Sequence, residues 1–524
     1  MKLQLGSCFF ALSLAFLGFA QQNPEALRYS RLIDTATSYK HLSILASDEF
    51  EGRETGKPGA TKAANYLAGE FKKLGLKAPV NNSWFQNVDL IENSLTVKRF
   101  TVNGKPLEHL HDFYIKGFLG SFKVDVKEVV FAGYGISNEK YNDYAGVDIR
   151  GKVVMLIAKG EPVKAGKSVI TGRTELSDWS NSLNKRVDAL KLKKPALILL
   201  IKEELNASLK ISRAHLEKPS IAINRSAKEV QTEVPVVSIT AETADKFLAP
   251  SKTTLQQLKS LIAKTGTPAS KVVMSRFAAS FLSQNSKIPA VNVLGYLEGS
   301  DLKDELVVVS AHYDHVGLNP GGADTVFNGA DDDGSGTTAV LEMAEAFTAA
   351  KKDGKGPRRS MLFLLVVGEE KGLLGSEWYS DHPVFPLKNT VANLNIDMIG
   401  RVDPAHKNKA DYCYLIGSDK LSTDLHKISE RTNATYTKLD IDYKYNAPDD
   451  PERIYYRSDH YNFAKHNIPI IFYFNGIHED YHQPGDEISK IDFPLLVKRA
   501  QLVFFTAWDL ANRDKRPVVD VRKE

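Results

Sequence analysis

Histidine and carboxylate side chains collect in five short segments of the second half of the chain. These segments hold His312 and Asp314, the triplet Asp331 to Asp333, Glu369 and Glu370, Asp397, and His482. Imidazole nitrogen and carboxylate oxygen together form the donor set that zinc and similar divalent ions accept. Two ions that share a water lower its pKa towards ~7 and polarise a carbonyl group. The chemistry that these residues could perform is therefore metal-assisted hydrolysis.

The residues are sufficient for two ions that share one carboxylate. His312 and Asp397 would hold one ion, Glu370 and His482 would hold the other, and one aspartate of the triplet would lie between them. Glu369 is then left free beside a ligand, where it could take a proton from the shared water. Zinc is the expected metal, and cobalt or manganese could replace it.

Two simpler explanations of these residues are less consistent with the sequence. A helix-loop-helix calcium loop around the aspartate triplet would need an aspartate at 329 and a glutamate at 340, but those positions are Gly329 and Val340. Glu369 and Glu370 follow a continuous apolar run, so they emerge at a sheet edge and not on a solvated helix face. Adjacent carboxylates in such a place repel each other unless a cation or a proton separates them.

The segment "HEDYH" matches the H-E-x-x-H zinc pattern through His478, Glu479 and His482. That pattern works only on a continuous helix, where both histidines lie on one face. Gly476 precedes the segment and Pro484 follows it, so little helix fits between them. We therefore expect either a polar loop or a loop that contributes one ligand to a site built elsewhere.

The elements that must position these residues alternate between strands and helices from about residue 290 to the end. "ELVVVSAHYD", "SMLFLLVVGEE", "VANLNIDMIG" and "PIIFYFNG" have the pattern of buried strands, and "GSGTTAVLEMAEAFTAA" and "FPLLVKRAQLVFFTAWDLA" have that of helices. This alternation predicts an α/β fold with a mostly parallel central sheet flanked by helices. Ligands bind beyond the carboxyl ends of such strands, where the candidate residues stand.

Length and composition indicate an ordinary globular protein of two or three domains. The chain has 524 residues and a net charge of only +4, which indicates no nucleic-acid partner. Residues 1–20 resemble a cleavable signal peptide, and no later segment predicts a membrane anchor, so a secreted or periplasmic location is expected. Removal of that segment would leave Cys413 as the single cysteine, without an internal disulfide. Nothing in the sequence indicates an oligomeric state.

Six motifs, in order, resemble those of the dinuclear zinc exopeptidase family, which includes secreted bacterial leucine aminopeptidases and glutamate carboxypeptidase. They are "AHYDHVG", "NGADDDGSG", "VVGEEKGLLGS", "NLNIDMIG", "RSDHYNF" and "DYHQPGDE". The resemblance is strong over 270–510 and loose over 40–124. It implies a three-layer zinc-exopeptidase fold in a discontinuous peptidase domain made of residues 21–124 and 267–524.

The same resemblance assigns roles to the candidate residues. It implies two zinc ions bound by five side chains, with Asp332 as the bridge: His312, Asp332, Glu370, Asp397 and His482. It implies that Glu369 is the general base and that Asp314 orients His312. It also implies a tyrosine that hydrogen-bonds the developing oxyanion, for which Tyr481 is preferred over Tyr455.

A second resemblance concerns the middle of the chain. "VFAGYGIS…YNDYAGVDIRGKVVMLIAKGEP" resembles a protease-associated domain, which is inserted ahead of the catalytic motifs in this family. We therefore expect a β-rich insert over residues 125–266 that limits access to the site.

The function expected from these patterns is that of an exported zinc aminopeptidase acting on peptides with a free N-terminus. A carboxypeptidase or dipeptidase on the same centre is the alternative, and it would need a basic clamp from Arg401, Lys444 or Arg457. Glutaminyl cyclases bind one zinc without the full ligand set, and non-catalytic relatives such as the transferrin receptor have lost the ligands. Retention of the whole set argues against both.

Overall fold

A computed structural model describes residues 22–448 and 450–521. The predicted signal peptide at 1–20 lies outside the described residues. Contacts divide the chain into two compact units, one formed by the residues up to Val88 and from Pro289 onward, and the other by Asp89–Ile288. The candidate metal-binding residues all belong to the first unit.

The first unit contains an eight-stranded sheet. Its strands are β1 (Phe85–Asn87), β2 (Val291–Leu297), β3 (Leu302–His312), β4 (Arg359–Val366), β5 (Thr390–Ile396), β6 (Tyr412–Ile416), β7 (Asp440–Asp442) and β8 (Ile470–Phe474). They lie in the order β1-β2-β4-β3-β5-β8-β6-β7. The four central strands, β4, β3, β5 and β8, pair in parallel, whereas β2 and β6 join them antiparallel. The predicted α/β fold with a mostly parallel sheet is confirmed.

Helices cover the sheet on both faces. They are α1 (Pro24–Ser30), α2 (Thr35–Leu45), α3 (Pro58–Leu74), α4 (Gly336–Lys352), α5 (Leu374–Asp381), α6 (Thr423–Thr432), α7 (His460–Lys465) and α8 (Phe493–Asn512). On one face, Phe347 of α4 packs against Phe363 of β4. On the other face, Tyr379 of α5 and Phe463 of α7 pack in a cluster with Leu362, the residue before Phe363. Because neighbouring strand residues point to opposite faces, β4 is buried on both sides, as its continuous apolar run predicts.

The helices near the start of the chain follow local signals in the sequence. The Asp34 side chain caps α2 by accepting hydrogen bonds from the backbone N–H groups of Ala36 and Thr37. Pro58 begins α3, and Gly75 ends it with a φ of 84°, a left-handed conformation that glycine adopts without strain.

Cys413 lies in β6 as a buried free thiol.

The second unit contains two larger sheets. One has six strands: Phe113–Tyr114, Val129–Phe131, Val153–Ile157, Leu197–Ile201, Val236–Ile239 and Lys271–Val273. The other is built around Leu90–Val102 and Phe277–Ile288, and also contains Phe122–Val126 and Ser220–Ile223, with Lys105–Pro106 attached. A small hairpin joins Val163–Lys164 to Lys167–Ser168. The helices of the unit are Asp178–Asn181, Leu183–Lys191, Leu205–Leu216, Ala227–Thr232, Ala241–Leu248 and Leu255–Thr265.

The boundaries of this unit lie further out than the predicted limits of 125 and 266. Leu90–Val102 pairs antiparallel along its length with Phe277–Ile288, so a strand from each side of the predicted insert belongs to the second unit. Pairing between segments so distant in the chain leaves no local signal in the sequence, which explains the misplaced boundaries.

Among the residues that the structure describes, no helix combines the length and the apolar character needed to cross a membrane.

Candidate metal centre

The predicted ligands stand at the carboxyl ends of the four parallel strands. His312 is the last residue of β3, and Asp397 directly follows β5. Glu370 lies in the turn after β4, and His482 lies in the loop after β8. Asp332 comes from the turn that leads into α4. Parallel pairing therefore gathers side chains from distant points of the chain at one edge of the sheet.

The carboxylate of Asp332 faces two separate groups of side chains. Its Oδ1 lies 3.3 Å from Nε2 of His312, and its Oδ2 lies 3.1 Å from Nε2 of His482. Asp397 stands on the His312 side, with Oδ1 at 3.6 Å from Nε2 of His312. Glu370 stands on the His482 side, with Oε2 at 3.0 Å from Nε2 of His482. The arrangement has two groups of donors with one carboxylate between them.

These residues fit a pair of divalent ions. Ligand atoms bound tetrahedrally to zinc at about 2.0–2.1 Å lie about 3.3–3.4 Å apart, which is close to the spacings within both groups. Nε2 of His312, Oδ2 of Asp332 and Oε1 of Glu370 are buried and make no hydrogen bond within the described chain. Buried polar atoms without partners are costly, and a cation in each of the two groups would satisfy them.

The three aspartates of the triplet have different surroundings. Asp333 accepts hydrogen bonds from the backbone N–H groups of His312, Gly336 and Met398, so its carboxylate holds the neighbouring turns together. It lies within ligand distance of His312 and Asp397, but both of its oxygens are already used. Asp332, by contrast, keeps its oxygens for the two donor groups. The peptide bond between Asp332 and Asp333 is cis.

Glu369 lies beside both groups without joining either. Its Oε2 is 4.0 Å from Nε2 of His312, and its side chain is only 12% exposed. Burial raises the pKa of Glu369 well above its ordinary value, and the nearby charges of Asp397 and Glu370 add to this increase. A carboxyl group with a raised affinity for protons is suited to proton transfer.

Asp314 contacts both His312 and the turn that carries Glu369. Nδ1 of His312 lies 3.1 Å from the backbone carbonyl of Asp314 and 3.9 Å from its carboxylate. The carboxylate itself accepts hydrogen bonds from the Thr55 hydroxyl at 2.6 Å and from the backbone N–H of Glu369 at 3.2 Å. The contact expected between Asp314 and His312 is therefore made mainly through the main chain. A carbonyl that accepts from Nδ1 leaves Nε2 free to bind a metal.

The segment "RSDHYNF" contacts Asp397 through its serine, Ser458. The Ser458 hydroxyl donates to Oδ2 of Asp397 at 2.6 Å, which leaves Oδ1 directed at His312. The next residue, Asp459, is buried and accepts a hydrogen bond from Ser376 at 2.5 Å.

His478 and Glu479 do not form a helical zinc motif with His482. Residues 475–482 contain no helix, and Glu479 is exposed. His482 reaches the centre from this loop, which agrees with the expectation of a loop that contributes one ligand to a site built elsewhere. His478 is buried, and its Nε2 lies 3.2 Å from Oδ2 of Asp331.

A small pocket opens beside Glu369. Its walls include the carboxylates of Asp332, Glu369 and Asp397 and the side chains of Met398, Ile454, Arg457, Phe472, Phe474, Ile477 and Tyr481. Tyr481 stacks on the ring of His482 with the ring centroids 4.0 Å apart, and its hydroxyl lies 3.4 Å from the guanidinium of Arg457. Tyr455, the other predicted tyrosine, packs against His460.

Two buried residues at the site were not predicted. His315 follows the same strand as His312, is fully buried, and directs Nδ1 to within 3.1 Å of Oε1 of Glu370. The second histidine of "HYDH", directly after the predicted His312 and Asp314, is the signal that could have identified His315. Arg53 is also buried, and its guanidinium donates hydrogen bonds to the carbonyls of Leu45, Tyr313, Asn328 and Gly329. It fixes the turns that carry His312 and Asp332, and no sequence pattern marks it.

Part of the first unit matches a known protein family. Residues 292–507 match the model of peptidase family M28. The predicted relationship to the zinc exopeptidases is confirmed. The fold agrees with it: an aminopeptidase from Aneurinibacillus sp. strain AM-1 superposes with a TM-score of 0.55 at 17% sequence identity, over 95% of this chain and 98% of that chain.

Named relatives are similar to a part of this chain. Aminopeptidase YwaD of Bacillus subtilis is 28% identical over 245 residues, which are 45% of this chain and 47% of that protein. A probable leucine aminopeptidase of Trichophyton verrucosum is 32% identical over 216 residues, which are 40% of this chain and 55% of that protein. The chain thus spans about half the length of the curated relatives that it matches.

Proposed function

We propose that the protein is a zinc-dependent aminopeptidase that hydrolyses N-terminal peptide bonds at a centre of two divalent ions. The observation that carries the proposal is the placement of Asp332, whose two carboxylate oxygens face separate His–carboxylate groups. His312, Asp397 and Asp332 would hold one ion, and Glu370, His482 and Asp332 the other. The names of the relatives, an aminopeptidase and a probable leucine aminopeptidase, support the same activity.

Bound ions would supply an acidified water and a polarised scissile carbonyl. Glu369, beside the centre but outside both donor groups, takes the proton from the attacking water and passes it to the leaving amine. The Tyr481 hydroxyl, at the wall of the same pocket, donates a hydrogen bond to the developing oxyanion. The carboxylate of Asp314 keeps Glu369 in place by accepting a hydrogen bond from the backbone N–H of Glu369.

The substrate would enter through the pocket beside Glu369. The acidic groups that line it would attract the positive N-terminal amine of a peptide, and the apolar side chains of Met398, Phe472 and Phe474 would contact the first side chain. The predicted signal peptide at 1–20 would send this activity to the periplasm or the medium. Asp89–Ile288 would be the protease-associated domain. The two segments that resemble such a domain contain the neighbouring parallel strands Val129–Phe131 and Val153–Ile157.

A carboxypeptidase or dipeptidase is the second candidate, and one residue favours it. Of the three cations proposed as a clamp, Arg401 is paired with Asp480 at 2.9 Å, and Lys444 lies over the ring of Tyr445. Arg457 lines the pocket itself and could bind a substrate carboxylate.

The deciding experiment compares three substrates with and without a chelator. They are an aminoacyl anilide, its N-acetylated form, and an N-acetylated peptide with a free carboxylate. An aminopeptidase cleaves only the first, and loses that activity in chelator until zinc is restored. Cleavage of the third substrate, abolished in Arg457→Met, would establish the carboxypeptidase instead. Cleavage of none by the zinc-loaded protein would contradict both.

A further inference from the structure

His315 stands inside the centre but has no role in the proposed ligand set. It is fully buried, and neither of its ring nitrogens makes a hydrogen bond within the described chain. Its Nδ1 lies 3.1 Å from Oε1 of Glu370 and 3.7 Å from Oδ2 of Asp332. The three side chains place their ligand atoms close enough together to share one ion.

The ring of His315 is fixed in this orientation by its surroundings. A Cβ atom on Gly329 would lie 2.6 Å from the ring, so the backbone of Gly329 packs directly against it. The backbone N–H of His315 donates to the carbonyl of Arg53 at 3.2 Å, and this bond holds the main chain as well. Nδ1 is therefore directed at the carboxylates by packing.

When the proton of a neutral imidazole is on Nε2, Nδ1 carries a lone pair. In this position that lone pair faces two carboxylate oxygens, which repel it. A cation between the three groups would turn this repulsion into coordination. The two distances from Nδ1 bracket the spacing of about 3.3–3.4 Å expected for ligands of one tetrahedral zinc ion. Nε2 of His482 lies 3.1 Å from the same oxygen of Asp332 and 3.0 Å from Oε2 of Glu370.

We propose that His315 is a further ligand of the ion bound by Glu370, His482 and Asp332, so that this ion has two imidazole ligands and its neighbour has one. The inference rests on the proposed two-ion centre. It makes the two ions unequal, because the second donor group adds a histidine that the first one lacks. The ion at Glu370 should bind first and leave last.

The test is spectroscopic and uses the full chain carrying one equivalent of zinc. X-ray absorption at the zinc edge should count two imidazoles around the ion in the wild type and one in His315→Ala. Calorimetry should resolve two zinc affinities, with His315→Ala weakening the tighter one by more than ~100-fold and leaving the other unchanged. That loss exceeds the ~10–100-fold effect of removing a residue that only orients a ligand.

His382→Ala, which changes an exposed histidine, is the matched control and should keep both affinities. If His315→Ala does not fold, the imidazole count of the wild type alone decides the question. A single imidazole in the wild type, with two zinc ions bound at saturation, would overturn the role of His315 and leave the proposed function intact. A chain that binds no zinc would instead contradict the proposed function itself.

Discussion

Nε2 of His478 lies 3.2 Å from Oδ2 of Asp331, and both side chains are buried. Asp331 also accepts hydrogen bonds from the backbone N–H of Gly400 and from the Ser335 hydroxyl. The pair therefore links the loop that carries His482 to the turn that carries Asp332. His478, which resembles part of a zinc motif in the sequence, thus contacts Asp331, the neighbour of the proposed bridging residue Asp332.

Replacement of His478 tests this link. His478→Ala should lower zinc affinity about 10–100-fold, because the loop that presents His482 loses its contact with Asp331. Zinc content after dialysis against a weak chelator measures the effect. Glu479→Ala, which changes the exposed neighbour, is the control and should behave as the wild type. A His478→Ala protein that keeps the zinc content of the wild type would contradict this link.

Replacement of Glu369 separates proton transfer from metal binding. Glu369→Gln should retain two zinc ions per chain, since the residue stands outside both donor groups, but lower kcat by about 10²–10⁴-fold. Elemental analysis and steady-state kinetics with an aminoacyl anilide give the two numbers. A variant that has lost its zinc would show that Glu369 is a ligand.

Replacement of Asp332 should affect both ions together. Asp332→Ala removes the one carboxylate whose oxygens face His312 and His482, so zinc titration should show both affinities reduced. Asp324→Ala, in an exposed loop of the same unit, is the matched control. Selective loss of a single ion would mean that another residue forms the bridge.

Acid should destabilise the first unit through His41. Burial lowers the pKa of His41 from 6.5 to about 4, and the charge of Lys40 adds to this effect. The unfolded chain therefore takes up this proton first, so stability is full above pH 6.5 and falls as the pH drops towards 4, by about 3 kcal/mol at most.

The comparison for His41 uses metal-free protein, so that loss of zinc does not contribute. The free energy of unfolding in urea, measured between pH 7 and 4, should fall less steeply in His41→Gln than in the wild type. His382→Gln, at an exposed position, should follow the wild type. Equal slopes for all three proteins would contradict the predicted role of His41.

The parallel sheet and the residues at its edge could be predicted because each depends on a local pattern. Apolar runs of strand length end at His312, Glu369 and Asp397, and parallel pairing then requires these ends to lie together. The helices α2 and α3 were also predictable, since Asp34 and Gly75 mark a start and an end.

Other features depend on contacts between distant segments. The strand Leu90–Val102 belongs to the second unit because of its partner Phe277–Ile288, and neither strand indicates the other. Arg53 satisfies carbonyls more than 250 positions away, at Tyr313, Asn328 and Gly329. The orientation of His315 depends on packing against Gly329, which the spacing of residues does not reveal.

The dependence of the centre on Arg53 and Thr55 limits how this protein can be divided. Both residues lie far outside the 292–507 segment that matches the family, yet they hold the turns around Asp332 and Asp314. A fragment expressed from that segment alone would lose the Arg53 donor to the carbonyls of Tyr313, Asn328 and Gly329. It would also lose the Thr55 donor to the carboxylate of Asp314. A chimaera that replaces the peptidase segment with that of a relative should therefore take the early helices from the same relative.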